Sequence, residues 1–514
     1  MKSKLIRHTT IVGGGTLISR VLGFVRDVLI ARFFGTSALL ESFLVAFRLP
    51  NIFRSILGEG FSDSVAVPVL AELRSDRKRF FATSAHLFMV FSLLLLAVTI
   101  AGIFASKYLV MVIAPGFVPQ PEKFWYAVAF TRITFLYLFL IGTATLSGAM
   151  LYALKKFFVP AVSPALLNLV FIGGIVLFSR SLETSVLVLC VTVGGVLQSV
   201  FPYYILRREG LVPVFDLRAA WNDRVVRRML RLFPPRVWSS IVYHLSVFID
   251  TVFASLTPIV GAGALAAVYY ANRLVQFPLA LIVLSLSRVA IVDLSAYHAE
   301  GNMEEFKKVC VFSAQSIVLL IVPAAVYFCL LPGSIIKVVF QRGAFGSDSA
   351  AVTSSVLFFY SFGLVFFSFI KLLVNAFYAL KDTLTPAKTS SLALVVNAVL
   401  SGMLMFPFKI GGVALGSSIA AAVNCCLLYA ALRRRVGPFP WQGSFGMALK
   451  VVVLSVVCAG VSRAFWESVP LSLSLRAGGI IMISAVLFLG GGAALRIPQI
   501  IHIGKWLGRK LRHN

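Results

Sequence analysis

Residues 19–35, SRVLGFVRDVLIARFFG, place Arg20, Arg26, Asp27 and Arg32 inside an apolar run. At the centre of a lone membrane helix each such charge costs about 2.5–3.5 kcal/mol. Guanidinium groups stay protonated, and their forked donors match carboxylate and phosphate oxygens. The next apolar stretch, ALLESFLVAFRLPNIFRSILGEGF, adds Glu41, Arg48, Arg54 and Glu59, with Asn51 and Ser55 among them. Residues seven apart on a helix fall about 20° from alignment, so Glu41 and Arg48 share a face, as do Arg20 and Asp27. Farther on, Asp250 is the charge in LSVFIDTVFASL and Arg273 the charge in AAVYYANRLVQFPLALIVL. Such groups do not belong against lipid, so the stripes are expected to face a hydrated cavity lined by protein. An arginine excess there suits an anion, above all a phosphate or pyrophosphate. Arg20, Arg26, Arg54, Arg273 and Asn51 are the expected ligand contacts, with Asp27, Glu41, Arg48 and Glu59 balancing charge around them. Arg32 lies near a segment end and reads as snorkelling to the interface.

Positioning such stripes requires long apolar elements, and the composition supplies them. Of 514 residues, 59% are hydrophobic and 13% charged, with mean hydropathy +0.94; soluble domains carry about 25% charged residues. Apolar runs of about twenty residues recur from end to end without period-two alternation, which predicts an all-α polytopic membrane protein of about 14 transmembrane helices. The first of these reads as a retained helix rather than a cleaved signal. The net charge of +28 sits between the oily runs, so it marks cytoplasmic loops and anionic lipid rather than nucleic acid. That bias puts both termini in the cytoplasm, and the tail IHIGKWLGRKLRHN reads as a basic interfacial anchor. The six cysteines lie in or beside apolar runs and have no metal-ligand spacing, so packing is their expected role.

The sequence also repeats. YALKKFFVPA at 152–161 returns as YALKDTLTPA at 378–387, and FRL at 47–49 returns as NRL at 272–274. Asp27 has a looser counterpart in Asp250, and Gly116 in Gly343. An even number of spans separates equivalent positions, so the repeat is parallel. Two pseudo-symmetric six-helix lobes are expected, residues 1–210 and 211–440, with 441–514 adding two extra transmembrane helices and the basic tail. In transporters built this way the substrate site lies between the lobes.

Several classes fit poorly. There is no nucleotide-binding P-loop, and GGG at 13–15 lacks the context of a dinucleotide site. The six histidines form no metal motif, and no cofactor is expected. Uphill movement would then draw on membrane potential or on a coupling cation, sodium or proton, with Asp250 the candidate acid. A glycosyltransferase would need a catalytic acid in a substantial outer loop, whereas the longest ones expected, 106–124 and 332–352, are short. A scaffold would not need arginines inside the membrane.

SRVLGFVRD, FLVAFRLPNIFRSILGEG, APGF, YYANRLVQFP and FYALKDTLTPAK together resemble the MurJ (MviN) family of lipid II flippases, within the multidrug/oligosaccharidyl-lipid/polysaccharide exporter superfamily. The resemblance runs through the first twelve spans. It implies two lobes around a cationic cavity, a C-terminal helix pair forming a groove for the lipid tail, and alternating access in the bacterial inner membrane. It further implies a monomer that binds lipid II and membrane lipids and works beside the peptidoglycan synthesis machinery. The family's essential arginines match Arg20, Arg26, Arg54 and Arg273, and its motif includes Asn51 and Glu59. Glu41 stands where Asp is more usual, and Asn272 and Gln276 stand where acids often flank the eighth-span arginine. A flippase for another polyprenyl-pyrophosphate-linked oligosaccharide shares this chemistry. A drug–cation antiporter of the superfamily would want acids to dominate its cavity.

Overall fold

The computed structural model describes residues 2–55, 61–213, 216–469, 472–497 and 499–500. Every regular element described is a helix, and ten are long and apolar enough to cross a membrane. Their outer faces are those of a protein solvated by lipid: in the helix Leu473–Ala494, Ile481 is 69% and Met482 70% exposed. In water such a surface would drive aggregation.

The helix bounds follow local chemistry. Ser37 caps Ala38–Arg54 by accepting from the Leu40 N–H at 3.3 Å, and Asp76 caps Arg77–Ile113 by accepting from the Arg79 N–H. In the second apolar stretch Ala38–Arg54 runs through Pro50, and a π-helical turn at Ser62–Ala66 leads into Val67–Glu72. Glu59 and the basic tail from 501 onward lie outside the described residues. The expected outer loop 106–124 is shorter, because Arg77–Ile113 continues to a single 3₁₀ turn, Pro115–Phe117, before Pro121–Ala153 begins.

Residues Leu384–Val436 look like one helix of 53 residues, which would run about 80 Å if straight. Instead Ser417 Oγ donates to Asn397 Oδ1 at 3.1 Å, and Ser401 Oγ donates to the Val413 carbonyl at 3.3 Å. The chain reverses at Lys409, whose φ is 52°, just after Pro407. Two antiparallel helices result, one on either side of Lys409.

The internal repeat is visible in the backbone. Lys155 and Lys381 both take left-handed φ values, 62° and 58°. Each donates its N–H three residues back, to Tyr152 at 2.9 Å and Tyr378 at 3.0 Å. Lys156 and Asp382 then donate five residues back, to Leu151 and Phe377. These are the same turn built twice. At the following position the charges are exchanged: Lys156 pairs with Glu209, and Asp382 pairs with Arg435.

By packing, the described chain forms two compact units, Met1–Pro258 with Arg342–Phe345, and Ile259–Gln341 with Gly346–Asn514. The first unit thus includes the helix Arg224–Ser255, which the repeat assigns to the second half. The reason is a reciprocal close approach. Gly116 donates its N–H to Ser255 Oγ at 3.1 Å, and a Cβ on it would sit 2.0 Å from the Ser255 carbonyl oxygen. Gly343, with φ 59°, would place a Cβ 2.4 Å from the Arg32 carbonyl oxygen, and Ala344 N–H donates to that same oxygen. Each glycine turn therefore closes over the end of the other repeat's first helix.

Candidate functional site

A connected set of polar side chains lies in the first unit, along the helices Lys2–Phe34, Ala38–Arg54 and Arg224–Ser255. Arg26 Nε and Nη2 donate to Asp27 Oδ1 at 3.0 and 2.8 Å, while Nη1 donates to Asn168 Oδ1 at 3.0 Å. The Phe171 ring lies beside the guanidinium, 5.4 Å from centroid to Cζ. Asn168 is fixed in turn by donating to the Ser19 carbonyl at 2.9 Å. Both come from the helix Phe158–Leu182, one turn apart on its inner face. The Arg26 side chain is 11% exposed, so water does not dilute these contacts.

Glu41 is buried against Lys123, whose Nζ also sits 4.1 Å from the Phe117 ring centroid. Ser42 Oγ donates to the Lys123 carbonyl at 3.0 Å. Arg48, one face-repeat farther along, donates to Thr251 Oγ1. The expected shared face of Glu41 and Arg48 therefore serves two different partners, on Pro121–Ala153 and on Arg224–Ser255. Asp27 is likewise engaged by its neighbour Arg26. Arg54 Nε donates to Asn51 Oδ1 at 3.1 Å, and Asn51 Nδ2 donates back to the Phe47 carbonyl. Ser55 Oγ lies 2.7 Å from His244 Nε2. Asp250 is half-buried, next to Thr251.

Arg20 is exposed, as is Arg32. In the second unit, Arg273 is exposed on Ala264–Pro278 and stacks on Tyr269, 4.9 Å from its ring centroid. Tyr269 meets the buried Tyr270 edge-on, and Tyr270 packs on Phe340. Among the described residues no group of three or more His, Cys, Asp or Glu is arranged to hold a metal ion.

Lys123, Asn168, Phe171 and Thr251 were not singled out by the sequence reading. Nothing local marks them: Asn168 in SPALLNLVF and Thr251 in FIDTVF are ordinary small polar residues in apolar helices. Chemically, the arrangement in the first unit is a set of guanidinium groups oriented by neutral and acidic neighbours, a chemistry suited to an anion.

The family model described as lipid II flippase MurJ matches residues 30–475. A probable lipid II flippase MurJ of Buchnera aphidicola is 35% identical over 426 residues, covering 82% of each chain. The lipid II flippase MurJ of Burkholderia cenocepacia is 33% identical over 464 residues, covering 89% of each. Among solved structures, a lipid II flippase MurJ in an inward closed conformation superposes with TM-score 0.79 at 23% identity, covering 94% of this chain and 98% of that one. An inward-facing multidrug-resistance MATE transporter of the MOP superfamily gives 0.65 at 15%, covering 81% and 94%. This chain belongs to the MurJ lipid II flippase family.

Proposed function

We propose that this chain moves lipid II, the undecaprenyl-pyrophosphate-linked peptidoglycan precursor, from the inner to the outer leaflet of the bacterial cytoplasmic membrane. Family membership makes it a multi-pass transporter rather than an enzyme, a flippase for a lipid-linked sugar that works by alternating access. The observation that carries the finer reading is the largely covered guanidinium of Arg26, held by Asp27 and Asn168. Together with Arg54 on Asn51 in the same unit, it gives a pre-oriented cationic pair suited to a pyrophosphate; Arg273, stacked on Tyr269 in the second unit, belongs to the proposal as a further contact. Arg20, exposed on the same helix as Arg26, completes the set. The fold alone is shared with a multidrug-resistance MATE transporter, so the sign of these charges does the discriminating. Fourteen spans with both termini cytoplasmic, two repeat-related lobes and Asp250 as the acid for a coupling cation belong to the same proposal.

The test follows newly made lipid II in cells depleted of their own flippase and expressing this chain. An impermeant reagent added outside reports the fraction reaching the outer leaflet. Wild type restores exposure and Arg273→Ala does not. Equal restoration by both would remove Arg273 from the binding set, and no restoration by a well-expressed wild type would turn attention to another polyprenyl-pyrophosphate-linked oligosaccharide.

A further inference from the structure

The second unit contains a cavity of about 300 Å³ that the transport reading does not use. It is walled by the helices Met303–Leu330 and Ser347–Ala379 and by the last part of Leu384–Val436. Its lining is apolar and aromatic: Ala314, Phe366, Phe369 and Leu373 form the walls, and Tyr429 and Trp441 flank one end. Trp441 Nε1 donates to Tyr429 Oη at 2.8 Å, so the polar tips of the two rings satisfy each other and leave their faces for packing. Trp441 is 38% exposed and Cys426, also on the lining, is exposed, so the cavity opens at the surface. Neither Arg273 nor any other residue of the candidate site lines it.

The aromatic end carries strong positive charge. Arg433, Arg434 and Arg435 close the helix there. Arg435 is taken by Asp382, whereas Arg433 and Arg434 are exposed and make no ion pair among the described residues. Lys307 reaches the same edge, its Nζ 3.5 Å from where a side chain on Gly437 would begin. A dry pocket beside an aromatic pair and unpaired guanidinium groups matches an amphiphile with an acyl chain and an anionic head. A pocket of this size takes part of one chain, not a long polyprenyl tail.

We propose that this cavity is a binding site for an anionic glycerophospholipid, one acyl chain lying between the three helices and the phosphate at Arg433 and Arg434. Such a lipid would wedge the end of Leu384–Val436 against Met303–Leu330.

Trp441 is itself the probe. The full-length chain carrying Trp441 as its sole tryptophan, reconstituted in phosphatidylcholine, is titrated with chain-brominated phosphatidylglycerol or chain-brominated phosphatidylcholine. Saturable quenching is expected at a several-fold lower mole fraction of phosphatidylglycerol. Ala314→Phe, which fills the cavity, and separately Arg433→Gln with Arg434→Gln, which leaves it open, should each abolish that preference. Equal quenching by the two lipids overturns the site, as does a preference that survives both changes. Reversal by an equal mole fraction of unbrominated undecaprenyl phosphate also overturns it, assigning the pocket to a polyprenyl chain instead. The surface-exposed pair of arginines keeps the test decisive if Ala314→Phe fails to fold.

Discussion

Arg26 is oriented before any ligand arrives, by two hydrogen bonds to Asp27, one to Asn168 and the ring of Phe171. Lysine keeps the charge but lacks the fork, so Arg26→Lys cannot hold both partners at once. The expected outcome is a variant that accumulates in the membrane yet fails to support growth of flippase-depleted cells. Arg32→Ala should support normal growth, because the side chain is exposed and the contact that matters is made by the Arg32 carbonyl oxygen. Glu41 and Lys123 present the opposite case. Removing one member of a buried pair strands the other charge, at a cost of about 3–5 kcal/mol. Glu41→Gln or Lys123→Met should each lower the melting temperature in detergent sharply, and the double variant should recover much of the loss. A double variant as unstable as the sum of the singles would show that the two do not act as a pair.

Helices were legible from hydropathy and breakers, but the partners of their polar residues were not. Arg26 meets Asn168 across 142 positions, Glu41 meets Lys123 across 82, and Arg48 meets Thr251 across 203. Periodicity tells which residues share a face; it does not tell which helix that face meets. The same limit hid the glycine turns, whose repeat was visible while their contacts were not. Gly343→Ala puts a side chain on a left-handed residue and drives it into the Arg32 carbonyl, so it should lose both thermal stability and transport. Gly346→Ala, where no atom lies within 4 Å of the new methyl, should be silent in both assays. A further element-level prediction concerns Asp382. Burial pushes its carboxyl up, but donors from Thr385 and Leu384, with Arg435 beside it, hold it below the ordinary aspartate value. A lowered folded pKa gives stability that is complete above the unfolded value near about 3.9 and is lost as pH falls through the folded one. Asp382→Ala should therefore cost about 0.5–2 kcal/mol at neutral pH, as for other lost caps. The gap between the two melting temperatures should stay constant down to about pH 5 and narrow below about pH 4.

The two left-handed lysine turns make a statement about the whole chain. Lys155 and Lys381 close the same turn, and the next residue of each joins an ion pair of reversed sign, Lys156 with Glu209 and Asp382 with Arg435. In the proposed parallel repeat an even number of crossings separates the two turns, so both lie on the same side of the membrane, whereas an inverted repeat would set one in the cytoplasm and the other outside. Basic residues crowd both turns and the helix ends beside them: Arg207 and Arg208 near the first, Arg433 to Arg435 near the second. By the positive-inside bias the proposed topology puts both in the cytoplasm. On that topology the turns at the far ends of the same long helices, near Val118 before Pro121–Ala153 and near Ser347 at the start of Ser347–Ala379, are expected outside. Cysteines placed singly at Lys156, Thr383, Val118 and Ser347, in a chain lacking its native thiols, separate the possibilities. An impermeant maleimide should label positions 118 and 347 in intact cells, and positions 156 and 383 only after the membrane is opened. Labelling of 156 and 383 from opposite sides would refute the parallel repeat and, with it, the equivalence of the two halves on which alternating access depends.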